Sequence, residues 1–326
     1  MTSCAILDQI GATPLIPMDF FEPRHGCDTI SIHAKAEYLN PGGSIKDRIA
    51  FYIIREAEKR GELKKGMSIA EATSGNTGIA VAMVGRVLGY PVTIIMPDNM
   101  SRERKEMIRA LNAELILTPG KENVAGAVEV LNRMRREDPD LFVPDQFRNP
   151  DNTLAHYHST GPEIMTDMDG RVDIFVCGVG SGGTLMGAGG YLKERNPDMK
   201  LIAVEPKDSS ALLGHSPGLH RIEGIGDGFI PEILDPAVID MVLEVDDGEA
   251  LSTARGLASE KGLLVGISSG ANILAALTAA RMFGHDKRIV TVLPDGIERY
   301  FSTDLCKREG ETVYEACDRQ VDGCPV

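Results

Sequence analysis

"NPGGSIKDR", residues 40–48, sets three turn formers, Pro41, Gly42 and Gly43, directly before a lysine that falls in the first turn of an apolar helix pattern. A helix N-terminus carries partial positive charge and disfavours an ammonium group, so this is a poor place for a structural cation. Lys46 therefore asks for a chemical reason, although a solvated surface lysine is the alternative when the stretch is read alone.

Outward from this stretch, strand-like apolar runs alternate with helical patterns. "MSIAEA" (67–72), "PVTIIMP" (91–97) and "ELILTP" (114–119) each precede a helix-like segment, and "VDIFVCGVG" (172–180), "KLIAVEP" (200–206) and "RIVTVLPD" (288–295) continue the cycle after residue 155. Near-continuous Val/Ile/Leu runs separated by helices mark parallel sheets covered on both faces. The expected fold class is α/β, with two domains of parallel-rich twisted sheets flanked by helices. No linker or repeat marks their boundary. The polar stretch "PDQFRNPDNT" (144–153) puts it near residue 155, giving an N-terminal domain 1–155, whose first strand region can pack on the other domain, and a C-terminal domain 156–326.

A net charge of −14 argues against a nucleic-acid partner, whose binding rests on neutralising phosphates. No segment reaches the roughly 18 apolar residues needed to span a bilayer, and the N-terminus lacks a signal-peptide pattern, so a cytoplasmic protein with a small-molecule ligand is expected. Six scattered cysteines do not make a disulfide framework. Cys177 reads as a small buried hydrophobe. Cys306, Cys317 and Cys324 lack metal-ligand spacing, and "HYH", with His156 and His158, lacks a third ligand, so no metal is expected and the histidines are given a surface or hydrogen-bonding role.

Two loops follow buried strands and open helices. In "EATSGNTGIAVA" (71–82), Ser74, Asn76 and Thr77 offer hydrogen bonds while Gly75 and Gly78 permit close approach, which suits a carboxylate or phosphate and equally a helix cap. In "CGVGSGGTLMGAGG" (177–190), the glycines make an anion nest. Gly178, Gly180 and Gly183 also satisfy GxGxxG, with Glu205 near the place of a ribose-binding acid, which suggests an NAD-dependent oxidoreductase. The hydroxyls of Ser181 and Thr184 suit a terminal phosphate better than a bridging pyrophosphate. Lys46 decides between them. A helix start raises its neutral-amine fraction and favours imine formation with an aldehyde. A lysine, a carboxylate loop and a phosphate nest together are what a pyridoxal phosphate enzyme needs.

"EYLNPGGSIKDR" (37–48), "TSGNTGIA" (73–80), "GVGSGGT" (178–184), "GIGDGFIP" (224–231) and "GISSGAN" (266–272), in this order, resemble the cysteine synthase family of fold type II pyridoxal phosphate enzymes, and the likeness runs from "IGATPL" (10–15) to "ERYFSTDL" (298–305). The resemblance implies roles at matching positions. Lys46 would carry the cofactor and act as acid–base group at the substrate Cα. Asn76 would meet the ring hydroxyl, Gly180, Ser181, Gly182, Gly183 and Thr184 the phosphate, and Ser268 the pyridine nitrogen. Thr73, Ser74, Gly75, Thr77, Gln146 and Gly226 would bind substrate. It implies β-replacement on O-acetyl-L-serine or a similar activated serine, through an aminoacrylate, with sulfide as nucleophile and L-cysteine as product. It also implies a homodimer, and a partner in the C-terminal peptide of serine acetyltransferase, which relatives bind in the cleft. A binding protein that keeps the fold without catalysis is a further class, against which the intact lysine argues. Two positions depart from the pattern. Asp227 stands where sulfhydrylases carry a small residue, and "LPDG" (293–296) begins Pro-Asp. Asp227 as a general base would suit a cysteine lyase that releases hydrogen sulfide, or a cystathionine β-synthase-like enzyme.

Overall fold

A computed structural model describes residues 5–22 and 28–307 of the chain, so Cys317 and Cys324 lie outside the described residues. A hairpin of β1 (Leu15–Glu22) and β2 (Asp28–Ala36) leads to α1 (Lys46–Arg60). Next come β3 (Ser68–Ala72), α2 (Asn76–Leu88), β4 (Val92–Pro97), α3 (Arg102–Ala110), β5 (Glu114–Thr118), α4 (Asn123–Glu137) and the short β6 (Leu141–Phe142). Helices α5 (Pro150–His158) and α6 (Thr160–Asp167) precede β7 (Ile174–Gly178), α7 (Gly183–Arg195), β8 (Lys200–Pro206) and β9 (Met241–Val245). The described chain closes with α8 (Asp247–Lys261), α9 (Ile267–Phe283) and β10 (Ile289–Leu293).

The strands form a four-stranded sheet in the order β5-β4-β3-β6, parallel throughout, and a six-stranded sheet in the order β1-β2-β10-β7-β8-β9, in which only the β1–β2 pairing is antiparallel. The expected α/β class is the one observed. The apolar runs have a direct cause: along β7, Ile174 and Val176 enter a core with α8 and α9, while Phe175 and Cys177 enter a second core with α7. The small sheet repeats this, with Ile94 and Met96 facing α1 and α2 and Ile95 facing α4. Both faces being covered, such a strand reads as a near-continuous apolar run. Helix α5 packs against both α1 and α7.

Helix α1 is anchored by charge as well as by its apolar face. The Arg48 side chain, buried, reaches Glu37 through Nε (2.7 Å), Glu163 through both terminal nitrogens (2.7 Å) and Thr13 Oγ1 (3.1 Å). Lys35 on β2 joins the same set through Glu163 (3.0 Å) and Asp167 (3.2 Å). Burial alone would raise the Glu163 pKa, but the hydrogen bonds and charges of Arg48 and Lys35 outweigh it and hold it at about 2, from an ordinary 4.5. A folded-state value below the unfolded one contributes stability that is present above the unfolded value and lost as pH falls through the folded one. The melting temperature should therefore drop between pH 4.5 and pH 2, and Glu163→Gln, less stable at neutral pH, should show a flatter profile over this window. Arg48→Met leaves Glu37 buried without its cation and should cost about 3–5 kcal/mol in denaturant unfolding.

Candidate active site

Four helices begin at one cleft. α1 starts at Lys46 after Ile45, α2 at Asn76 after Gly75, α7 at Gly183 after Gly182 and α9 at Ile267 after Gly266, and none of these N-cap residues caps its helix with a side chain. Each start leaves N–H groups without intrahelical partners and adds partial positive charge to the same space, which selects an anionic ligand. The cleft, about 810 Å³ counted with its open mouth, is lined by residues from each of these starts.

The turn before Lys46 is built around two charged side chains. The Gly42 N–H donates to Asp47 Oδ2 (2.5 Å), and a Cβ at Gly42 would lie 2.5 Å from Asp47 Oδ1. Gly43, at φ +77°, would place a Cβ 2.7 Å from Arg299 Nη1, and Arg299 Nη2 donates to the Gly42 carbonyl. Glycine is required at both positions, and the turn delivers Lys46 to the cleft wall beside Cys177 and Asp227. Burial lowers the Lys46 pKa, against the opposing influence of Asp227, Cys177 and Asp295, so its neutral amine is more accessible than that of a surface lysine. Burial raises the Asp227 pKa against Lys46 and His220, and pushes the Cys177 thiol up to about 12 against Lys46.

Thr73, Ser74, Asn76 and Thr77 line the cleft from the β3–α2 loop, with Gln146 beside them. Thr77 Oγ1 donates to Gln146 Oε1 (2.7 Å), which leaves the Gln146 amide hydrogens as the donors of the pair. Gly180, Ser181, Gly182, Gly183 and Thr184 line it from the β7–α7 loop, and Ser268 from the first turn of α9. Gly75 and Gly226, placed among the substrate contacts by the resemblance, lie between lining residues, Gly75 between Ser74 and Asn76 and Gly226 between Ile225 and Asp227. The Gly75 N–H donates to Thr73 Oγ1 (3.0 Å), and a Cβ there would strike Arg104 at 2.2 Å. The Gly226 N–H donates to the Val179 carbonyl (2.9 Å), and its own carbonyl accepts from Ser209 (3.0 Å). Both glycines let neighbours close in behind the wall.

Other residues enter the site unannounced. Arg104 and Glu223 form an ion pair on the cleft wall. Behind it, Asp295 Oδ2 accepts from Asn76 Nδ2 (2.6 Å) and Tyr300 Oη (2.8 Å), while Arg299 Nε donates to Asn76 Oδ1 (2.7 Å), so the Asn76 amide has one orientation. Glu205, the candidate ribose acid of the GxGxxG reading, is buried and accepts from Ser210 Oγ (2.8 Å) and the Leu212 N–H (3.0 Å), so it is not presented to a dinucleotide. The "HYH" histidines part company: His158 is exposed and stacked on Tyr52, and His156 is buried with both ring nitrogens bonded. Among the described residues no group of three His, Cys, Asp or Glu is arranged to hold a metal, and no helix is long and apolar enough to cross a membrane.

Pyridoxal phosphate fits these residues. Its aldehyde needs an accessible amine, and its phosphate needs converging N–H and O–H donors. The 180–184 loop approaches so closely that a Cβ at Gly180 would lie 2.4 Å from the Gly224 carbonyl, and Gly182 is left-handed at φ +82°. Comparison with known proteins agrees. Residues 6–295 match the family of pyridoxal-phosphate dependent enzymes. The cysteine synthase of Staphylococcus aureus is 43% identical over 297 residues, covering 91% of this chain and 94% of that protein. The crystal structure of cysteine synthase from Entamoeba histolytica matches with a TM-score of 0.91 at 43% identity, over 99% of this chain and 96% of that one. That of a hydrogen sulfide-producing enzyme from Fusobacterium nucleatum matches with a TM-score of 0.90 at 42% identity, over 96% and 94%. The chain is thus a pyridoxal-phosphate-dependent enzyme and belongs to the cysteine synthase family.

Proposed function

We propose that the protein catalyses β-replacement on O-acetyl-L-serine or a similar activated serine, exchanging acetate for sulfide to give L-cysteine. The observation that carries this reading is the meeting of Lys46 with the uncapped starts of α2 and α7 in one cleft. Lys46 is the attachment point. The loop 180–184 takes the phosphate, Asn76 the ring hydroxyl and Ser268 the ring nitrogen. A serine there, unlike a carboxylate, does not enforce a protonated ring, which suits elimination at Cβ. When bound, the cofactor supplies the sink for the electron pair left at Cα. Thr73, Ser74, Thr77 and Gln146 hold the substrate carboxylate and so orient its Cα–H bond toward Lys46 Nζ. Lys46 takes that proton, the leaving group departs from Cβ, and Lys46 returns the proton after the nucleophile has added.

A second reading rests on Asp227, whose half-buried carboxylate shares the cleft with Lys46. A negative charge there repels hydrosulfide but serves as general base toward water or a neutral thiol. The enzyme would then release sulfide from cysteine, or join a thiol to Cβ as a cystathionine β-synthase-like enzyme does. As part of the same proposal the protein is a cytoplasmic homodimer, divided near residue 155 into two domains, with the C-terminal peptide of serine acetyltransferase as a partner for the cleft. The family likeness supports these points.

Borohydride should bleach the yellow holoenzyme and leave the reduced cofactor on Lys46. Lys46→Ala should lose the reducible linkage and about 10²–10⁴-fold or more in kcat. A nicotinamide copurifying in its place would overturn the reading. Thr77→Val should raise KM for the amino acid with the cofactor retained.

Given cysteine alone, the wild type should release sulfide if Asp227 is a base, and Asp227→Asn should slow this about 10²–10⁴-fold while still consuming O-acetylserine with sulfide. Because the Asp227 pKa is raised, the acid limb of this activity should lie above the ordinary carboxylate range and vanish in Asp227→Asn. Fast cysteine synthesis by both proteins, with no sulfide from cysteine, would leave an ordinary cysteine synthase.

A further inference from the structure

Helix α5 runs directly behind the 180–184 loop, and two of its side chains, one turn apart, touch the two hydroxyls of that loop. Asn152 Nδ2 lies 2.9 Å from Ser181 Oγ, and His156 Nε2 lies 3.2 Å from Thr184 Oγ1. We propose that Asn152 and His156 donate to these oxygens and thereby turn both hydroxyl protons toward the cofactor phosphate, with Thr160 donating to the other ring nitrogen and so supporting the histidine tautomer that makes this work. The inference rests on the assignment of residues 180–184 to the phosphate.

For Asn152 the direction follows from its other partner. Nδ2 also lies 2.7 Å from the Gln146 carbonyl. A carbonyl can only accept, so the amide nitrogen must face it, and the second hydrogen on that nitrogen goes to Ser181. A hydroxyl that accepts one hydrogen bond keeps its own proton for another partner.

His156 is buried, and Nδ1 lies 2.8 Å from Thr160 Oγ1, itself buried. Burial, with the cations Arg48 and Lys46 nearby and Glu163 opposing, holds its pKa well below the usual imidazole range. A neutral ring has one donor and one acceptor. With the proton on Nδ1, Thr184 would have to donate to Nε2 and would present lone pairs to a dianion. With the proton on Nε2, Thr160 donates to Nδ1, Nε2 donates to Thr184, and the Thr184 proton is available to the phosphate. Only the second arrangement adds a donor to the nest.

The glycines of α7 make the approach possible. A Cβ at Gly183 would lie 1.9 Å from Asn152 Oδ1, and one at Gly187 would lie 2.2 Å from the Thr153 carbonyl and 2.7 Å from His156 Cβ. His156 and Thr160 act through Thr184 and are positioning residues.

The test reconstitutes full-length protein with pyridoxal phosphate and, in parallel, with pyridoxal, which has no phosphate. Thr160→Val should weaken pyridoxal phosphate binding about tenfold or more, the loss of one charge-assisted hydrogen bond, and leave pyridoxal binding unchanged. Thr160→Ser should restore it. Thr184→Val should show the same selective loss, and the double variant should bind no worse than Thr184→Val alone. In the wild-type holoenzyme, ¹⁵N spectra should place the His156 proton on Nε2. If Thr184→Val leaves the preference for phosphate intact, the phosphate assignment itself is wrong. If Thr184→Val lowers it but Thr160→Val does not, if Thr160→Ser fails to rescue, or if the proton sits on Nδ1, the relay through α5 is wrong and the phosphate assignment stands.

Discussion

Four helix starts aimed at one space impose a condition that the rest of the site answers. Parallel β-α connections put the beginning of each helix at the same edge of its sheet, so β3–α2 and β7–α7 deliver their unpaired N–H groups together. A field of that sign needs anions. The cleft meets it partly with its own carboxylates, Asp227 and Glu223 on the wall and Asp295 behind, and leaves the two glycine-lined starts for ligands. Burial in this cleft holds Lys46 below its ordinary pKa, and what would be a poor structural cation becomes a usable amine.

The parts that line the cleft come from distant stretches of chain, yet a few buried hydrogen bonds lock them to one another. Arg299 holds both the Asn76 amide and the Gly42 carbonyl, and Asp295 holds Asn76 and Tyr300. The turn before Lys46, the loop before α2 and the segment after β10 therefore share one set of partners. A buried network of this kind penalises any arrangement that leaves a member unpaired, which keeps three separate loops in a single relative geometry.

What could be read from the residues divides along physical lines. Strands buried on both faces announced themselves as continuous apolar runs. Strands β1, β2 and β9, which mix polar with apolar residues, did not stand out in this way, nor did β6, because a two-residue strand has no periodicity. The loops that line the cleft were legible because nest, turn and lysine are local patterns. The network behind them was not, since Asn76 and Asp295 pair across 219 positions and Arg299 and Gly42 across 257. Arg104 sits in a helix of mostly charged residues and reads as part of a solvated face, whereas it is buried. In "HYH" the two histidines draw the eye, but on a helix residues two apart do not share a face. The pair that meets the loop is Asn152 and His156, at the helical spacing of four.

The pairing of β2 with β10, Ile32 opposite Ile289 through Ala36 opposite Leu293, ties the first strands of the chain to its last. The small sheet is drawn from residues 68–142 alone and can close as soon as they leave the ribosome. The large sheet cannot, because the β1–β2 hairpin has no neighbour until β10 has been made, some 250 residues later by the register. During synthesis the hairpin thus waits with an open edge, a template for strands of other chains, and closing so long a loop is the slow, late event of folding. The order of assembly follows: the hairpin that leads into the Lys46 turn lacks its sheet partner until the last strand arrives, so the cleft that this turn lines is among the last features of the molecule to form.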